Sequence, residues 1–155
     1  MVEITKPELL HVADFIVPVG EPIEIGRIAG NLRRMISIAE GEVSGPRLRG
    51  KVLAGGADYQ IIRADGVTDL HARYVIETEE RHLIYVENSG IRCGPVELME
   101  KLWRGEPVDP ALIYFRSTPR FETAAPGYEW MMRSLFLCSG ARFPDRVEMR
   151  VFEVG

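Results

Sequence analysis

The chain has 155 residues, a formal net charge of −4, 46% hydrophobic residues and 27% charged residues. That is enough chain to bury one substantial core without staples, and a negative balance with no basic stripe argues against nucleic acid or an anionic membrane as partner. No apolar run approaches the ~20 residues of a membrane-spanning helix, Met1–Pro7 carries no signal-peptide pattern, and Cys93 and Cys138 form no CxxC, so a reduced, cytoplasmic single domain over residues 1–155 is expected.

In chain order, Leu9–Val17 reads as a first strand closed by Pro18, Gly20 and Pro22, and Glu21–Gly30 reads as irregular. Leu32–Ala39 is strand-like, with Leu32, Arg34, Ile36 and Ile38 on one face. Arg47–Ala54 alternates cleanly, with Leu48, Gly50, Val52 and Ala54 against Arg47, Arg49 and Lys51. Asp65-Gly66 is a strong hairpin signal, because both central residues of a type I′ turn need positive φ. With these two at the turn, Ala64 pairs with Val67, Tyr59 with Ala72 and Asp58 with Arg73. The apolar face is then Tyr59, Ile61, Leu70, Ala72 and Tyr74, which is out of phase with the strand before it. A one-residue bulge at Gly55-Gly56 would switch faces and reconcile the two. The alternative is a polar interior with an apolar outer face covered by another subunit, and a homodimer is expected on that account.

His82–Asn88 is the next strand, ended by Ser89-Gly90. Pro95–Trp103 reads as a helix, with Val96, Met99, Leu102 and Trp103 on one face and Gly105 past its end. Leu112–Ser117 is a strand stopped by Pro119. Tyr128–Cys138 is taken as a strand, with Val147–Val154 as its hairpin partner. About eight or nine short strands, one helix and hairpin-length connections predict an all-β fold, an antiparallel closed β-barrel with room for one small ligand.

Several stretches resemble the domain-of-unknown-function family 3237, also called uncharacterised protein family 0311. They are GPRLRG at Gly45–Gly50, GGADYQIIRADG at Gly55–Gly66, ARY at Ala72–Tyr74, IYVENSGIR at Ile84–Arg92, GEPVDP at Gly105–Pro110, YFRSTPRFET at Tyr114–Thr123 and YEW at Tyr128–Trp130. The resemblance runs in one order over nearly the whole chain. It implies a small barrel similar to lipocalin-like (calycin) barrels and no established activity. Two places depart from the pattern: Glu79-Glu80-Arg81, where an acidic-Gly turn is usual, and Met131-Met132, where Leu-Asn is usual and a pocket amide would be lost.

His11, His71 and His82 have no ligand spacing, so no metal is expected. There is no phosphate loop and no nucleophile elbow, so no cofactor is expected either. What remains is a set of charged and aromatic residues near strand ends. Glu122 and Asp58 are the candidate catalytic carboxylates; Arg116, Arg92, Tyr74, Tyr128 and Trp130 are the candidate ligand-binding residues. An Arg in a barrel lumen needs an anionic partner, so Arg116 and Glu122 are expected in one cavity with Trp130 on its apolar wall. The plainer alternative makes Arg116 and Glu122 a structural ion pair, and Tyr128 and Trp130 core filler. The expected function is a small-molecule-binding barrel for a carboxylate- or carbonyl-bearing ligand. The alternatives are a cofactor-independent isomerase, cyclase or lyase with an Arg anchor and a carboxylate base, and a non-catalytic oligomeric interaction module.

Overall fold

The computed structural model describes residues 1–155. Eleven strand segments and one helix are present: β1 (Leu9–Pro18), β2 (Ile23–Ile28), β3 (Asn31–Ser37), β4 (Gly41–Ser44), β5 (Gly50–Val52), β6 (Ala57–Ile62), β7 (Thr68–Thr78), β8 (Leu83–Cys93), α1 (Val96–Trp103), β9 (Tyr114–Thr123), β10 (Phe136–Arg142) and β11 (Arg146–Val154). β1 and β2 run in line, as do β3 and β4, and the two lines form one long hairpin. Asp14 pairs with Ser44, Val19 with Ile38 and Ile23 with Met35. The hairpin turns at Ala29-Gly30, whose φ values of 53° and 86° are those a type I′ turn requires. β5 and β6 form a third interrupted line between β3–β4 and β7. The result is eight long antiparallel strands, each beside its neighbours in the chain, closed where β1 pairs with β11. Closure removes most exposed edges; the outer edge of β2 alone has no strand beside it in the sheet order.

The apolar residues of the inner face gather at one end. Val12, Phe15, Val52, Ile76, Ile84, Val86, Phe121 and Phe136 belong to a single buried cluster, with Phe121 and Phe136 edge to face at 5.0 Å. A 3₁₀ turn, Glu129–Met132, closes this end and buries Met131. The helix and its connection to β9 pack over the opposite end, where Trp103 lies against the β6–β7 turn at Gly66. α1 starts after Pro95 and stops in a Schellman motif, with Gly105 (φ 76°) donating to the Leu102 carbonyl and Glu106 to that of Lys101.

Five expectations are corrected. The β6–β7 turn has three residues rather than two: Gly66 donates to the Arg63 carbonyl and takes the positive φ (89°), while Asp65 accepts from Val67 N at 3.1 Å. Asp58 therefore pairs with Ala72 and Ala57 with Arg73. A one-residue change of register flips every side chain of a strand. Asp58, Gln60 and Ile62 face in, opposite Leu70, Ala72 and Tyr74, whereas Tyr59 is 43% exposed. The face conflict thus disappears within one chain, and with it the argument for covering that face with a second subunit.

The Gly55-Gly56 step does not switch faces. Val52 pairs with Ile76 and Ala57 with Arg73, so β5–β6 carries two extra residues here and keeps its phase. The phase changes instead across Ala39-Glu40, between buried Ile38 and buried Val43. Glu21–Gly30, read as irregular, contains β2. Tyr128–Cys138, read as a strand, is a 3₁₀ turn followed by the start of β10. β9 runs through Pro119 without a break. Its pairing with β10 ends at Ser117–Cys138, so the missing proline N–H lies where that ladder has stopped.

Candidate functional site

The inward polar side chains gather near the helix-covered end, with Thr78 a buried exception at the closed end that accepts from His82 N. On β8 the inward series is Ile84, Val86, Asn88, Gly90 and Arg92, apolar at the closed end and polar at the open one. β9 adds Phe115 and Ser117, β10 adds Arg142, β3 adds Arg34, and β6 adds Asp58 and Gln60. Two glycines make the packing possible: a Cβ at Gly140 would meet the Phe115 ring at 2.8 Å, and one at Gly90 would meet Ser117 Cβ at 2.6 Å.

Asp58, Gln60, Asn88, Arg92, Phe115, Ser117 and Arg142 line one chamber, with a cavity volume of about 60 Å³. Its apolar wall includes Ile36, Ile38, Leu70, Phe115 and Met149; its polar wall is Asp58, Gln60, Asn88, Arg92, Ser117 and Arg142, with Tyr74 deeper in. Arg34 lies beside the chamber, in the groove between the β2–β3 hairpin, the β6–β7 turn and α1, near enough for its charge to act on Arg92 and Arg142.

The electrostatics are unbalanced. Arg34, Arg92 and Arg142 are 4%, 3% and 9% exposed. None of the three forms a salt bridge. Arg142 donates to the Arg146 carbonyl at 3.4 Å, and Arg92 lies 5.4 Å from the Phe115 ring centre. Nε of both Arg34 and Arg92 has no hydrogen-bond partner. Burial pushes the Arg92 guanidinium down to about 10, with the charge of Asp58 opposing and those of Arg142 and Arg34 adding. Arg34 and Arg142 are lowered for the same first reason, desolvation. Asp58 is the one carboxylate in the chamber. It accepts from Gln60 Nε2 and from His71 N, both at 2.9 Å. Gln60 Oε1, Tyr74 OH, Asn88 Oδ1 and Ser117 Oγ are also buried without partners.

Of the residues singled out from the sequence, the structure brings Asp58, Tyr74 and Arg92 together in this chamber. It does not bring in the other four. The inward phase of β9 is Phe115, Ser117, Pro119 and Phe121, so Arg116 and Glu122 lie on the outer surface. Arg116 donates to the Phe115 carbonyl at 2.9 Å and sits 5.6 Å from the Tyr114 ring, with no salt bridge to Glu122. Glu122 pairs in register with Tyr85 on the outside of β8. The expected Arg116–Glu122–Trp130 cavity is therefore absent. Trp130 packs at the closed end, 6.0 Å from Phe136, with the Arg47 guanidinium 4.0 Å above its ring. Tyr128 donates to Glu80 at 3.2 Å at the same end. Met131-Met132 lies there too, outside the chamber wall, so no chamber amide is lost at these positions.

Arg34, Gln60, Asn88, Ser117 and Arg142 were missed. Each had a signal: a polar side chain in phase with an apolar strand face, as Arg34 is between Leu32 and Ile36 and Asn88 is after Ile84 and Val86.

The family model described as "Protein of unknown function (DUF3237)" matches residues 7–154. A UPF0311 protein of Rhodopseudomonas palustris (strain TIE-1) is 50% identical over 147 residues, covering 95% of this chain and 96% of that protein. Among solved structures, a conserved protein of unknown function from Rhodopseudomonas palustris is 47% identical with a TM-score of 0.94, over 98% of this chain and 100% of that one. A β-barrel-like protein from Acinetobacter baumannii is 31% identical with a TM-score of 0.87, over the full length of both chains.

Proposed function

This chain belongs to the DUF3237 family, and we propose that its barrel is a receptor for a small organic acid whose anionic group is held by Arg92, Arg142 and Arg34. The observation that carries this reading is three buried guanidinium groups without a salt bridge, beside a chamber whose one carboxylate is already engaged by Gln60 and His71 N, with Glu24, Asp145 and Glu21 acting on Arg34 and Arg142 only at a distance. A buried unpaired charge costs on the order of several kcal/mol, and a carboxylate ligand offsets that cost by forming charge-assisted, often bidentate, hydrogen bonds. The wall of Ile36, Ile38, Leu70 and Met149 suits an apolar body behind the acid group.

The test is a thermal-shift panel of small carboxylates with their neutral amides as matched controls. Acids that fit raise Tm with concentration and their amides do not. Arg92→Met keeps the fold and loses the shift. A panel in which amides match acids, or in which Arg92→Met responds like the parent, refutes the receptor.

A second reading, cofactor-free proton transfer, rests on Asp58 lying in the same chamber as the arginines. Asp58→Asn separates the two readings. A pure receptor keeps its affinity and has no turnover to lose; an enzyme keeps binding and loses turnover.

A further inference from the structure

The chamber has polar groups at two depths, and the acid-receptor reading uses only those at the mouth. Resting on that reading, we propose that the bound acid carries a hydroxyl at the end opposite its carboxylate, across a ring or similarly compact apolar body. Asn88 lies four residues deeper along β8 than Arg92, roughly 13 Å of strand at ~3.4 Å per residue, and the long Arg92 side chain spans part of that distance. Tyr74 and Asn88 are inward-facing diagonal neighbours on adjacent strands, since Ala72 pairs with Asn88 and Tyr74 with Val86. Ser117, opposite Gly90, is the next inward neighbour of Asn88 on the other side.

The oxygens of all three are buried without a partner in the protein, whereas buried polar groups in folded proteins are ordinarily hydrogen-bonded. Their chemistry is complementary. Complete burial raises the Tyr74 phenol far above its ordinary value, so Tyr74 keeps its proton and is a donor. Asn88 Nδ2 is directed at Met149 Sδ (3.5 Å), which leaves Oδ1 as the acceptor. A ligand hydroxyl donates to Asn88 Oδ1 and accepts from Tyr74 OH. An ether or a carbonyl oxygen satisfies Tyr74 alone, and a hydrogen satisfies neither. Between the two polar levels the wall is Leu70, Ala72, Phe115 and Met149, with Asp58 and Gln60 on β6 opposite Ala72 and Leu70.

The experiment is calorimetric titration with two matched series of different length: benzoate, 4-hydroxybenzoate and 4-methoxybenzoate; then 3-phenylpropanoate with its 4-hydroxy and 4-methoxy forms. In at least one series the hydroxy acid binds about tenfold or more tighter than both its parent and its methoxy form, because a site built to hydrogen-bond a hydroxyl is left with unpaired groups by analogues lacking it. Tyr74→Phe removes most of that preference while leaving the parent acid's Kd within about threefold, and Asn88→Leu does the same. Tyr74→Phe is nearly isosteric and carries the test alone if Asn88→Leu fails to fold. If the parent acids bind and hydroxylation gains nothing in either series, or the preference survives Tyr74→Phe, the hydroxyl proposal is overturned and the receptor stands. If none of the six acids binds, both fall.

Discussion

The two ends of this barrel are built from the same strands with opposite chemistry. At the closed end the inward positions of β1, β5, β7, β8 and β9 are Phe15, Val52, Ile76, Ile84 and Phe121, packed into one apolar cluster. Further along the strands of the same ring, the inward positions are Arg34, Gln60, Asn88, Arg92, Ser117 and Arg142. The β7–β8 and β8–β9 ladders are continuous through both ends, so there the backbone does not distinguish them. The closed end holds the ring together, and the open end gives up some of that stability to keep unpaired polar groups in place, as functional sites commonly do.

This difference sets the sign of substitutions. Truncating the closed end removes buried apolar contacts: Phe136→Ala is expected to cost about 3–5 kcal/mol in urea unfolding. At the open end an apolar replacement works the other way. Arg92→Met removes a desolvated charge with no salt-bridge partner, so the unliganded protein is expected to gain about 1–3 kcal/mol while losing acid binding. An Arg92→Met protein less stable than the parent would show that Arg92 is paired in solution and would erase the contrast.

The strand faces explain how much of this was readable from sequence. The closed barrel, the β6–β7 hairpin and the helix from Pro95 followed from alternation, a Gly turn and a Pro/Gly pair, which are local signals. Asp58, Tyr74 and Arg92 were identified as candidates on chemistry. Arg116 and Glu122 were placed inside because Pro119 was read as a break; the strand passes through it, and the phase set by Phe115 and Phe121 puts both charges outside. Arg34 and Arg142 were visible as charges in apolar phase, but a lone sequence does not say which inward charges converge across the ring. The position of the one-residue phase change was not readable either, since Gly55-Gly56 looks like a bulge and Ala39-Glu40 does not.

Smaller effects sharpen the same picture away from the chamber. Arg81 holds φ at 66° in the β7–β8 turn, a conformation that costs a non-glycine residue about 1 kcal/mol or more, so Arg81→Gly should raise stability by about that amount without touching ligand affinity. Burial pushes the Cys138 thiol up to about 12, so iodoacetamide should leave it unlabelled in the folded protein and modify it only on unfolding. The weakest effect is at the surface. The Arg150 hydrogen bonds hold the Asp14 carboxyl below its ordinary value, so the pair contributes above that value and the contribution disappears as pH falls through the lower, folded-state value. Solvent screening limits it to about 0.5 kcal/mol, and Asp14→Asn should matter that little at pH ~7 and not at all near pH ~2.

The central claim is that anions are recognised by the lumen arginines and not by those on the outer wall. It is tested most directly by following the Arg Nε–Hε NMR signals while a small acid such as benzoate is titrated in. The signals of Arg92 and Arg34, whose Nε atoms are buried and unpartnered, should move together and saturate at one Kd, with Arg116 unchanged. Saturable binding that moves Arg116 and leaves Arg92 and Arg34 still would contradict the account.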